Sequence, residues 1–98
     1  MSGTAAKTVT PGMDIVASMA EEFRAEILKS VDEGVRKLTV DINGVGVIDS
    51  VGLGVLIGTH NSLQKKDGIF NVINASEDIY KLFKVMRLDQ HFEVTMAE

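Results

Sequence analysis

The chain has 98 residues, a length from which we expect one domain and no second, and its 45% hydrophobic and 24% charged residues are typical of an ordinary globular protein. Cysteine is absent, which excludes disulfides, thiolate chemistry and cysteine-based metal sites. The net charge is -4, and the ten basic residues are spread thinly, so we expect no nucleic-acid partner.

The first 13 residues are small and mostly polar, and we interpret them as an N-terminal tail. Residues 8–10 favour a short strand just before Pro11, the only proline of the chain. No apolar run in this segment is long enough for a signal peptide or a membrane span. We therefore expect a cytoplasmic protein that does not insert into a membrane.

A first helix is predicted over residues 18–33. Ser18 and Glu21 have the spacing of a capping box, and apolar residues then recur at helical intervals until Gly34. Those apolar residues are Ala20, Phe23, Ile27 and Val31.

The remaining chain alternates between predicted strands and helices. Residues 38–42 and 69–73 have the β-branched, apolar pattern of strands, and residues 91–95 predict a last short strand. A helix over about 50–67 ends before Gly68, and Ser76 caps a third helix with Glu77 and Asp78 in its first turn. This alternation indicates an α/β fold in which helices pack against a sheet.

Catalytic explanations of Ser50 are weak. A serine hydrolase needs Gly-x-Ser-x-Gly, but Ile48 stands where the first glycine belongs. His60 shares the helical face of the leucines and is predicted to be a half-buried packing residue, while His91 lies near the C-terminus. We predict that the protein is not an enzyme, and a hydrolase using Ser50 with a histidine remains the lesser alternative.

Metal and cofactor sites are not predicted either. The candidate metal ligands lack motif spacing, and Asp49 is better explained as supporting the turn before the second helix. The other candidates are Asp41, His60 and His91.

The segment from Ser50 onward has a structural explanation and a functional one. A serine before an apolar helix is usually the N-cap, and replacing it by alanine would cost about 1 kcal/mol. Capping does not explain three glycines in one helix, each costing about 1 kcal/mol relative to alanine. Two of the three belong to a smooth stripe that suits either internal helix packing or an exposed docking surface, and both can hold at different positions. The stripe comprises Val51, Gly54, Val55, Gly58 and Thr59, and the third glycine is Gly52.

Residues 38–54, LTVDINGVGVIDSVGLG, resemble the signature of STAS domains of the anti-sigma factor antagonist family. The common pattern is an apolar strand, a short turn and Asp-Ser-x-Gly-Leu-Gly opening a helix. Residues 69–83 are similar to the next strand and helix of the family, and the resemblance runs over about 14–95. It implies a STAS domain over 14–98 with a small mixed β-sheet and helices packed against it.

The resemblance also implies a switch. In such antagonists the serine after the aspartate, here Ser50, is phosphorylated by an anti-sigma factor that is a serine kinase. The unmodified form binds the kinase and frees a sigma factor, the phosphorylated form dissociates, and a serine phosphatase restores it. The implied partner-binding residues are Asp49, Ser50, Val51, Gly52, Gly54, Val55 and Gly58. The alternative is a constitutive STAS docking module of a transporter or sensory complex, with Ser50 a helix cap and contact residue.

Two departures from the family pattern stand out. Only about 13 residues precede Asp14, where the family usually has a strand hairpin, so we expect a shortened N-terminal strand region. Val51 replaces a residue that is small and polar in many antagonists. An uncovered sheet edge invites pairing with a second chain, and the sequence therefore predicts a homodimer through the N-terminal edge.

Overall fold

The computed structural model describes residues 5–97 and confirms the α/β fold. Strands and helices alternate along the chain, and a 3-10 turn, Leu88–Gln90, precedes the last strand. The strands are β1 (Ala5–Val9), β2 (Val35–Asp41), β3 (Ile69–Ala75) and β4 (Glu93–Met96). The helices are α1 (Ala17–Asp32), α2 (Ser50–Gln64) and α3 (Glu77–Val85).

The four described strands form one sheet in the order β1-β2-β3-β4, and every pairing is parallel. For this part of the chain, the expectation of a mixed sheet is corrected to a parallel one. A helix connects each strand to the next, and such a crossover returns the chain in the same direction, whereas an antiparallel pair needs only a hairpin.

Strand β1 lies within the segment that the sequence pattern set apart as a tail. Its residues pair with β2, Val9 opposite Val40, and the side chain of Val9 is buried. The domain therefore includes the chain from Ala5 onward, and the strand ends at Val9 instead of spanning 8–10. Residues 1–4 of the predicted tail lie outside the described residues.

The core lies where the apolar faces of the helices meet the sheet. Leu38, Val40 and Val72 on the central strands have no exposed surface, and neither do Leu56 of α2 and Phe83 of α3. Near β4, aromatic rings pack edge to face, with 4.9 Å between the ring centres of Phe70 and Phe92.

Helix boundaries differ from the predictions in two places. Helix α1 begins at Ala17, its N-cap is Val16, and no side chain of its own caps it, so Ser18 lies inside the first turn and the predicted capping box does not form. Helix α2 ends at Gln64 instead of 67, because a turn follows in which Gly68 N–H donates to the Leu63 carbonyl at 2.7 Å. The predicted Ser76 cap is confirmed, since its hydroxyl accepts from Ile79 N–H at 3.3 Å.

Candidate partner-docking site

The loop before α2 is held by the segment before α1. One carboxylate oxygen of Asp14 accepts from the N–H groups of Gly46 and Val47, at 2.9 and 3.0 Å. Ile15 N–H donates to the Val47 carbonyl at 3.0 Å, and Asp49 N–H donates to the Ile15 carbonyl at 3.2 Å. These bonds fix the backbone that leads into Ser50. No local pattern signals them, since the Asp14 bonds join positions 32 and 33 residues apart.

Asp49, and not Ser50, is the N-cap of α2. Its Oδ1 accepts from Gly52 N–H at 2.8 Å, while its Oδ2 accepts from Ala17 N–H, the first residue of α1, at 2.9 Å. One carboxylate therefore caps two helices, including the one whose own N-cap, Val16, offers no side-chain bond. The N–H groups of Gly52 and then Ala17 stabilise the charged form and lower the pKa of Asp49 below its ordinary value of 3.8.

Ser50 is the first residue of α2 and is exposed to solvent. The alternative explanation of Ser50 as the helix cap does not hold, because Asp49 precedes it and performs that role. Exposed apolar residues occur close to Ser50 in the sequence: Val47 is 52% exposed and Val51 48%. Met13, next to the residue that holds the loop, is 55% exposed.

Gly52 has an internal role. It is buried, and a Cβ atom there would collide with the Ile15 carbonyl oxygen and approach the Ile15 Cγ2 to 2.9 Å. Only glycine lets α2 approach this backbone so closely. This burial gives no support to the predicted partner contact at Gly52, which stays a prediction.

The other two glycines of α2 face open space. A Cβ at Gly54 or Gly58 would meet no atom within 4 Å, so internal packing does not account for them. Both line a groove between α1 and α2 with a volume of about 360 Å³. Its lining residues are Arg24, Leu28, Val51, Gly54, Val55, Gly58, Thr59 and Ser62. Arg24 and Leu28 were not singled out from the sequence, because nothing local indicates which face of α1 approaches α2.

Within the stripe predicted from the sequence, exposure differs by position. Val51, Gly54 and Gly58 are exposed and Val55 is half-buried. Thr59 is buried and its hydroxyl donates to the Val55 carbonyl at 2.7 Å, so it belongs to the helix packing.

The two histidines lie together and away from Ser50. The ring centre of His60 is 6.1 Å from that of His91 and 5.5 Å from that of Phe92. His60 follows Ser50 by ten residues on one helix, which is about 15 Å along its axis. Burial, and to a lesser extent the charge of His91, lowers the pKa of His60. The half-buried packing role predicted for His60 is confirmed. His60 does not lie where it could act as a base for Ser50.

Membrane-spanning and metal-binding features are absent from residues 5–97. No helix there combines the length and apolar character needed to cross a bilayer. In the same range, no three metal-ligating side chains of the histidine, cysteine or carboxylate type come together.

Comparison with known proteins supplies the family. The STAS domain family matches residues 4–98, nearly the whole chain. The chain belongs to the STAS domain family. This STAS domain is 31% identical over 68 residues to an anti-sigma-B factor antagonist of Listeria monocytogenes. That match covers 69% of the chain and 59% of the relative, so the chain aligns with less than two thirds of that protein.

Solved structures share the fold of this STAS domain. An anti-sigma factor antagonist from Mycobacterium paratuberculosis superimposes with a TM-score of 0.79 at 24% identity, covering 97% of this chain and 80% of that one. The anti-sigma factor antagonist SpoIIAA in its unphosphorylated form gives 0.76 at 20% identity, covering 100% and 84%. SpoIIAA of Bacillus in its phosphorylated form gives 0.64 at 18% identity, covering 93% and 78%.

Proposed function

We propose that this STAS domain is an anti-sigma factor antagonist that switches partners according to the phosphorylation state of Ser50. Its partners are an anti-sigma factor with serine kinase activity and a serine phosphatase, and it works in the cytoplasm by binding, not by catalysis. The observation that carries the proposal is the exposure of Ser50 at the first residue of α2, with capping left to Asp49. A hydroxyl that the fold does not use for capping is accessible to a modifying enzyme.

The modification is a phosphoryl transfer from ATP. The Ser50 Oγ attacks the γ-phosphorus, the bond to the ADP leaving group breaks, and the hydroxyl proton passes to a base of the kinase. The phosphatase reverses the state with water, which releases inorganic phosphate and restores the hydroxyl. The phosphate adds about -1.5 to -2 charges, and the helix N-terminus favours negative charge. We therefore expect the fold to survive the modification.

Partner release follows from the surroundings of Ser50. Val51, the residue after Ser50, is 48% exposed and lines the groove between α1 and α2 together with Gly54 and Gly58. A partner that covers this surface would have to desolvate the phosphate, which is costly without a pairing cation. The proposed contact residues are Asp49, Ser50, Val51, Gly54, Val55 and Gly58. The antagonist role itself is supported by the relative from Listeria monocytogenes, an anti-sigma-B factor antagonist.

Phosphorylation with an anti-sigma factor kinase and ATP tests the proposal. Tandem mass spectrometry is expected to place one phosphate on Ser50, and Ser50→Ala should abolish the label. Ser62→Ala, a serine of the same helix that lines the groove, is the matched control and should keep it. Label on other residues with Ser50 unmodified would contradict the proposal.

Binding of a Ser50→Asp variant separates the switch from a constitutive docking module. The switch predicts that the added charge weakens binding to the kinase by at least tenfold, measured by calorimetry. Unchanged affinity would favour the docking module, in which Ser50 is only a contact residue.

A further inference from the structure

Asp49 connects the start of α2 to the start of α1 through one side chain. Oδ1 accepts from Gly52 N–H at 2.8 Å and Oδ2 from Ala17 N–H at 2.9 Å. The two helices do not depend on it equally. Ala17 follows Val16, whose side chain has no oxygen to accept a bond, so Asp49 supplies the cap that α1 lacks.

We propose that Asp49 is a positioning residue that transmits the modification state of Ser50 to α1. The inference rests on the proposed function, since it assigns a route by which phosphorylation at that site is sensed. A phosphate on Ser50 stands next in sequence to the Asp49 carboxylate and repels it, because both groups are anionic.

Loss of the Asp49 cap affects α1 more than α2, because the phosphate can replace Asp49 at the start of α2 and nothing replaces it at the start of α1. The phosphate lies on the first turn of α2, where its oxygens can accept from the N–H groups at the helix start, such as the Gly52 N–H if the Asp49 carboxylate moves away. Ala17 N–H has the Asp49 carboxylate as its cap, and Val16 provides no substitute. Phosphorylation therefore loosens the first turn of α1 while α2 keeps a capped start.

The change reaches the groove between the two helices. α1 contributes Arg24 and Leu28 to that groove, opposite Gly54 and Gly58 of α2. The loosened first turn belongs to the same helix as this wall and lies about two turns before Arg24. Asp49 thus links the modified hydroxyl to a surface extending along α2.

Site-specific incorporation of phosphoserine at position 50 tests the relay without any kinase. NMR is expected to show a rise in the Asp49 pKa. The Ala17 amide should exchange roughly three- to tenfold faster, because a phosphate within about 6 Å of a surface carboxylate shifts the opening equilibrium of its hydrogen bond by that order. The Gly52 amide should stay protected. Phosphoserine in place of Asn61, an exposed residue of the same helix, is the matched control and should leave both readouts unchanged.

The relay must also depend on the charge of Asp49. In an Asp49→Asn background, phosphoserine at position 50 is expected to change Ala17 exchange less than twofold. If Ala17 exchange accelerates equally in that background, the proposal is overturned. An unchanged Asp49 pKa on phosphoserine incorporation into the chain with Asp49 would also overturn it. The second readout remains valid even if the asparagine variant folds poorly. If the relay operates but no kinase modifies Ser50, only the proposed function fails. If Ser50 is a kinase substrate and Ala17 does not respond, only the relay fails.

Discussion

Gly52 shows how one residue position can be fixed by a distant backbone. A Cβ there would collide with the Ile15 carbonyl oxygen, which cannot move without disturbing the bonds from Ile15 to Val47 and Asp49. We expect Gly52→Ala to destabilise the fold by about 1–3 kcal/mol, the usual effect of overpacking, although alanine favours helix formation. Urea unfolding measures the effect. A variant as stable as the parent would show that the loop before α2 is softer than these contacts indicate.

Asp49 makes stability depend on pH in a defined window. Its pKa is below 3.8 in the folded chain, so on acidification the unfolded chain binds the proton first. The stabilisation that Asp49 provides is complete above about pH 4 to 5 and is lost as the pH falls through the lowered folded value. We expect Asp49→Asn to flatten the loss of unfolding free energy as the pH falls below about 4 to 5. Parallel curves for the two proteins in urea titrations would contradict this.

At the scale of the helix, Gly54 and Gly58 differ from Gly52 in the space around them. No atom lies within 4 Å of the place that a Cβ would take at either glycine, so alanine at either site should fit without strain. Each substitution is expected to stabilise the chain by up to about 1 kcal/mol, the helix-propensity difference, in the same urea assay. If these glycines are retained for docking, the double variant should bind the kinase more weakly. Lower stability of either single variant would indicate an unrecognised contact.

The elements differ in how far sequence alone determined them. β3 and α3 were predicted within a few residues, since an apolar strand pattern and a local serine cap define them. The start of α1 was mispredicted because its cap comes from Asp49, 32 residues away. Capping of α2 by Ser50, one of the two explanations that the sequence left open, fails for a local reason, since Asp49 directly precedes it and is the N-cap. Ser50 itself, the centre of the candidate site, was found from the Asp-Ser-x-Gly-Leu-Gly pattern.

For the whole molecule, the parallel sheet leaves β1 at an edge. β1 pairs with β2 on one side, and within the described residues no strand covers its other side. The prediction of a homodimer through this edge remains a proposal, and sedimentation velocity tests it. A mass near twice 10.6 kDa that falls on dilution is expected. The mass of a single chain across all concentrations would rule out the pairing.

The central claim is that the state of the Ser50 hydroxyl decides which partner this STAS domain binds. The most direct measurement is the affinity of the anti-sigma factor kinase for the chain with and without phosphoserine at position 50, by calorimetry at one salt concentration. The account predicts binding of the unmodified chain and at least a tenfold loss with phosphoserine. Equal affinity for both forms would contradict it.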